Sequence, residues 1–121
     1  MIERIGTDII EIEKIKHYSQ RKCFLNKVFT QKEIDYAKRK EDSASHLATT
    51  FAAKEAIFKA LGTGWLEGQD IEIKRDKEGR PSAVLSGNLE KLSKSKKILL
   101  SLSYNGNFAI AFAIIIEKNK K

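Results

Sequence analysis

Glu55 and Lys59, a carboxylate and an ammonium four residues apart, stand in the segment Phe51 to Gly64, FAAKEAIFKALGTG. The segment reads as an amphipathic helix that ends in a glycine turn. At helical spacing Leu47, Phe51, Phe58 and Leu61 form an apolar stripe. Glu55 and Lys59 flank that stripe among Ala48 and Ala52, whose small side chains leave room for something large beside the helix. Gly62-Thr63-Gly64 then adds backbone N–H groups and a hydroxyl. Such a surface can hold a metal and a phosphorylated ligand. An ordinary i,i+4 ion pair with Gly62 as a helix cap accounts for the same residues, so the segment alone does not decide.

Asp8 supplies a second carboxylate. It lies in Ile2 to Ile10, which reads as a strand with Ile5 and Ile9 on one face and Gly6, Asp8 and Ile10 on the other. Two carboxylates from separate elements make a sparse oxygen site. Mg²⁺ suits it, because that ion keeps several waters and takes one or two carboxylates plus substrate phosphates. Zinc does not fit, since Cys23, His17 and His46 lack ligand spacing. The glycine turn is not a Walker loop, and no Ser-His-Asp set is evident. His17 reads as a surface residue and Trp65 as packing.

The elements that must position these residues follow from pattern. Roughly Glu13 to Leu25 reads as a basic helix or helical turn. Thr30 and Glu33 match a capping box that opens a short helix to about Lys40. Ser43 or Ser45 caps the next helix, which runs to Leu61. Asp70 to Arg75 and Pro81 to Leu85 read as strands around the turn Asp76 to Gly79. Ile98 to Tyr104 and Asn107 to Glu117 flank Asn105-Gly106, a hairpin signal because both residues tolerate positive φ. The last strand is apolar on both faces, so one cover is expected from another subunit. Residues 119–121 read as a frayed tail.

The 121 residues suggest one domain, 1–121. With 41% hydrophobic and 32% charged residues the composition is that of a globular chain. Phe108 to Ile116 is too short for a membrane helix, and the N-terminus lacks an apolar signal core. A lone cysteine excludes an intramolecular disulfide and points to a reducing, cytoplasmic setting. The net charge of +7 is concentrated: Lys14 to Lys40 holds nine basic residues against Glu33 and Asp35. A face of that density attracts a polyanion, an acidic protein or a phosphorylated ligand.

GTDIIEI at Gly6 to Ile12 resembles the N-terminal signature of the bacterial holo-(acyl-carrier-protein) synthases. FAAKEAIFKALGTG resembles their central signature. DIEI at Asp70 to Ile73, GRP at Gly79 to Pro81, and SLSYNGNFAIAFAII at Ser101 to Ile115 follow in the family's order. The resemblance implies an α+β 4′-phosphopantetheinyl transferase fold, an antiparallel sheet packed with one long and several shorter helices. It implies transfer of the phosphopantetheine arm of coenzyme A to a serine of apo acyl carrier protein, in support of fatty acid biosynthesis. Adenosine 3′,5′-bisphosphate is released. Asp8 and Glu55 are the implied Mg²⁺ ligands, and Lys59 is expected near the pyrophosphate. The implied coenzyme A site further includes His46, Gly62, Thr63, Gly64, Arg80, Pro81 and Ser103. The serine proton goes to a side-chain base, for which Glu55 and Asp35 are the candidates, or to a metal-held water. The family works as a homotrimer with sites between subunits. Its acidic carrier fits the basic residues Lys14, Lys16, Arg21, Lys22 and Lys27.

Two positions depart from the family. Thr50 stands where an arginine usually precedes FAAKEA, so His46 or a neighbouring subunit's lysine is expected to replace its charge. Tyr104 stands where many relatives carry histidine, so packing or a hydrogen bond is expected there in place of a base. A basic RNA-binding module would explain the charge but not Asp8, Glu55 or the glycine turn, and it lacks the aromatic sheet surface such modules use. A structural oligomer built on the hairpin alone leaves the same residues unexplained. Neither nucleic acid nor membrane is an expected partner.

Overall fold

A computed structural model describes residues 1–118 of the chain. Strand β1 (Ile2–Glu11) leads through the short helices α1 (Ile12–Tyr18), α2 (Lys22–Val28) and α3 (Gln31–Lys38) to the long helix α4 (Ser43–Leu61). A hairpin of β2 (Ile71–Arg75) and β3 (Pro81–Leu85) follows, then the single-turn helix α5 (Leu92–Ser95), then β4 (Lys96–Tyr104) and β5 (Phe108–Glu117). The order β1-β5-β4 makes an antiparallel three-stranded sheet, and β2-β3 pair separately. The expected α+β fold with one long helix is what the chain adopts.

Helix α4 lies across the sheet, and alanine is the reason it lies so close. Ala52, Ala53 and Ala56 of α4 and Ala111 and Ala113 of β5 are wholly buried in one core cluster. The alanine flank expected to leave open space instead lets backbones approach. Ala48 and Ala52 are both fully buried. Gly6 marks the tightest crossing: a Cβ there would collide with the Ala56 carbonyl oxygen and stand 2.8 Å from the Ala60 nitrogen. The face alternation expected of β1 holds, with Ile5 and Ile9 exposed and Gly6 buried. In register, Asp8 stands opposite Ala111.

Local signals were met in different ways. Thr30 and Glu33 form the expected reciprocal cap of α3. The cap of α4 is Asp42, whose carboxylate accepts from the Ser45 N–H, rather than either serine. The expected helix from Glu13 to Leu25 is two helices, because Arg21 turns extended between them. That break lets Phe24 meet Phe29 and Phe51. The Asn105 hairpin is present, but neither Asn105 nor Gly106 adopts positive φ. The Asn105 side chain closes it by accepting from the Asn107 and Phe108 N–H groups, each at 2.8 Å. The alternation of β5 divides cleanly: Ala109, Ala111 and Ala113 are buried, while Phe108, Ile110 and Phe112 are exposed. The tail 119–121 lies outside the described residues. Among those described, no helix is long and apolar enough to cross a membrane.

Candidate active site

Gly6 brings β1 against α4, and two residues further on the same face Asp8 arrives beside the helix. Lys59 Nζ donates to Asp8 Oδ1 at 3.0 Å and to the Thr7 carbonyl at 3.2 Å. The other Asp8 oxygen, Oδ2, is buried and accepts from no group among the described residues. Glu55, one turn before Lys59, completes the cluster. Partial burial raises its pKa above the usual carboxylate value, the negative charge of Asp8 raises it further, and Lys59 opposes both. The arrangement is two repelling carboxylates, one with an unpaired buried oxygen, and a half-exposed ammonium at the rim. Among the described residues no group of three or more His, Cys, Asp or Glu side chains comes together. A hard divalent cation fits the two oxygen ligands, with waters and substrate oxygens supplying the rest.

The glycine turn serves the helix first. Gly62 adopts φ 77°, its N–H donates to the Lys59 carbonyl, and the Thr63 N–H reaches the Phe58 carbonyl. This is a Schellman closure, so two of the amides expected to face a phosphate end α4 instead. The Thr63 hydroxyl donates to the carbonyl of the next residue, Gly64, at 2.8 Å.

A second cluster forms toward the N-terminal half of α4. The His46 ring meets Tyr36 and Tyr104 edge to face, at 5.7 and 5.9 Å between centroids. Burial lowers the His46 pKa, and the nearby charges of Arg75 and Lys40 lower it further. Tyr104 packs, as expected. Arg75, at the end of β2, donates through Nη2 to the Thr49 hydroxyl at 3.1 Å and the Thr50 hydroxyl at 3.4 Å. Asp35 lies in this region and not with Asp8. It accepts from the Gln31 amide at 2.9 Å and lines a cavity of about 360 Å³ between α3 and β2.

Other expected site residues scatter. Arg80 is held by Asp76 and Glu78 at the tip of the β2–β3 hairpin, while Pro81 pairs with Arg75. Ser103 stands opposite Ile110 on the outer sheet face, away from Asp8. His17 is exposed, and Trp65 stacks on Phe51 at 5.2 Å, in line with surface and packing roles. Lys14, Lys16, Arg21, Lys22 and Lys27 are exposed, while α1 buries Ile12 and Ile15 beneath them. The sequence reading missed Arg75 and Tyr36. The period of two in β2 was the available signal, since it places Arg75 on the inward face of Ile71 and Ile73.

The pattern that defines the 4′-phosphopantetheinyl transferase superfamily matches residues 4–113. A holo-(acyl-carrier-protein) synthase of Protochlamydia amoebophila is 48% identical over 117 residues, 91% of this chain and 94% of the relative. Two solved structures share the fold. A synthase of the same kind from Bacillus anthracis, in complex with coenzyme A (3′,5′-ADP), is 32% identical with a TM-score of 0.83, covering 98% of this chain and 99% of its own. Another from Helicobacter pylori, in complex with coenzyme A, is 31% identical with a TM-score of 0.81, covering 93% and 99%.

Proposed function

Because the chain belongs to the 4′-phosphopantetheinyl transferase superfamily, we propose that Asp8, Glu55 and Lys59 form the centre at which it does its chemistry. The enzyme is a phosphopantetheinyl transferase that takes coenzyme A and an acyl carrier protein. The carrier serine oxygen attacks the β-phosphorus of coenzyme A. A new O–P bond forms, the bridging bond to the α-phosphate oxygen breaks, and adenosine 3′,5′-bisphosphate leaves with that electron pair. Lys59, half exposed beside Asp8, meets the pyrophosphate and offsets charge there. Glu55 accepts the serine proton. Partial burial and the neighbouring Asp8 charge raise its pKa, which suits a proton acceptor, and Asp35 lies in the other cluster. Asp8 and Glu55 would hold Mg²⁺, which when bound supplies charge neutralisation on phosphate oxygens. The observation that carries this reading is the buried, unpaired Oδ2 of Asp8, because a buried carboxylate oxygen without a partner is costly unless a ligand completes it.

The reading extends to surroundings. Exposed Lys14, Arg21, Lys22 and Lys27 attract an acidic carrier. The apolar outer face of Ile5, Ile9, Phe108, Ile110 and Phe112 packs against other copies in a homotrimer, and the product serves fatty acid synthesis in the cytoplasm. Incubation with coenzyme A, Mg²⁺ and apo carrier should add one phosphopantetheine to the carrier's intact mass, and chelation should stop it. An unchanged carrier mass refutes the transfer, and full activity in chelator refutes the metal. Sedimentation should give a trimer of 13.7-kDa chains; a monomer at assay concentration contradicts the oligomer.

A further inference from the structure

Arg75 is a charged group without a charged partner. Among the described residues no carboxylate lies within ion-pair distance of it. Burial pushes its pKa down from the ordinary arginine value, yet a guanidinium stays protonated in proteins. Its Nη2 is spent on the two threonine hydroxyls of α4, and its Cζ lies 5.6 Å from the centre of the Tyr36 ring. Hydroxyls and a ring face fix the fork in place without neutralising it. A half-buried cation in that state is stabilised by an anion that arrives from outside.

The cavity beside it is suited to such an anion. Lys32, Arg39, Lys74 and Arg75 line it. Its two carboxylates, Asp35 and Glu72, are already engaged, by the Gln31 amide and the Thr30 hydroxyl. Lys40 lies close by, its ammonium 4.8 Å from the centre of the Tyr36 ring. His46 cannot take the role of fixed charge, because burial and the charges of Arg75 and Lys40 favour its neutral form. Coenzyme A carries a phosphomonoester in addition to its pyrophosphate, and a cation held in place but not neutralised suits the former.

We propose that Arg75 anchors the 3′-phosphate of coenzyme A, with Thr49, Thr50 and Tyr36 as the bracket that aims it. The inference rests on coenzyme A being the donor and adds which residue reads its phosphomonoester. The charge that the family resemblance places on α4 at position 50 then reaches the same spot from β2, across the hydroxyl of Thr50.

Calorimetry with coenzyme A and 3′-dephospho-coenzyme A tests it. The unaltered protein should prefer coenzyme A by about 10- to 100-fold, the range of a charge-assisted contact. Arg75→Met should bring the two affinities within about threefold of each other, while affinity for dephospho-coenzyme A stays near its original value. That retained affinity also shows that the variant is folded. Arg75→Lys, which keeps charge but loses the fork, should fall between. Thr50→Arg added to Arg75→Met should restore part of the preference. Undiminished preference in Arg75→Met overturns the inference alone if the unaltered protein still modifies its carrier. Failure of the unaltered protein to bind either compound overturns both the inference and the donor assignment.

Discussion

Helix α4 carries two lysines five residues apart, and each meets a carboxylate. Lys54 reaches Glu33 at 2.7 Å with the two side chains 0% and 1% exposed, whereas Lys59 reaches Asp8 at 3.0 Å with 54% and 10% exposed. All three donors of Lys54 are used, on Glu33 and on the carbonyls of Val28 and Gly68. Glu33 also accepts from the Thr30 and Ile73 N–H groups. This pair ties α2, α3, β2 and the loop after α4 together, and it has nothing left to offer a ligand. Burial disfavours charge on both partners, raising the Glu33 pKa and lowering that of Lys54, and the shared hydrogen bonds offset it. The Asp8 pair is incomplete by the same measure: among the described residues Oδ2 has no partner, and the ammonium is half exposed with two of its donors engaged. Saturation of hydrogen bonds, rather than the presence of an ion pair, separates a structural lysine from one available for chemistry.

The comparison breaks most visibly at Lys54. Lys54→Ala strands the Glu33 carboxylate in the core and should cost about 3–5 kcal/mol, read as a large drop in the denaturant midpoint. A variant as stable as the parent would show that the pair is not structural. Asp8→Asn should do the opposite, lowering turnover about 100- to 1000-fold with little change in the same midpoint. Loss of folding in Asp8→Asn would erase the distinction. Lys59→Met should lower turnover less, by about 10- to 100-fold, and it sharpens the contrast through pH. Lys59 holds the Glu55 pKa down against burial and Asp8, so removing it raises that pKa. In the metal-free protein the Glu55 carboxyl should therefore titrate at higher pH in the variant, as read by carbon NMR. An unmoved Glu55 titration would mean that Lys59 does not act on it.

Much of this contrast was legible in the sequence, though not its reason. Glu55, Lys59 and Asp8 stand out by type and spacing, and strand alternation alone puts Asp8 and Gly6 on one face. Lys54 is a neighbour of Glu55 in sequence, yet helical geometry turns it inward, and its partners lie 14 to 26 residues away. No local pattern announces those contacts. The alanines misled for a related reason: small side chains can border a cleft or permit close packing, and only the facing alanines of β5 settle which. Asn105-Gly106 marked the hairpin through its composition, but a side-chain acceptor, not positive φ, closes it. Arg75 belongs to no motif, and its meeting with Thr50 depends on the β2 hairpin packing across α4.

Turnover of Glu55→Gln, followed by the intact mass of an apo carrier at saturating coenzyme A and Mg²⁺, is the most direct test of the Asp8–Glu55–Lys59 centre. The substitution keeps the shape and removes the charge that the chemistry needs. Loss of about 1000-fold or more, with an unchanged melting temperature, is the expected result. Turnover within a fewfold of the parent would contradict the centre itself.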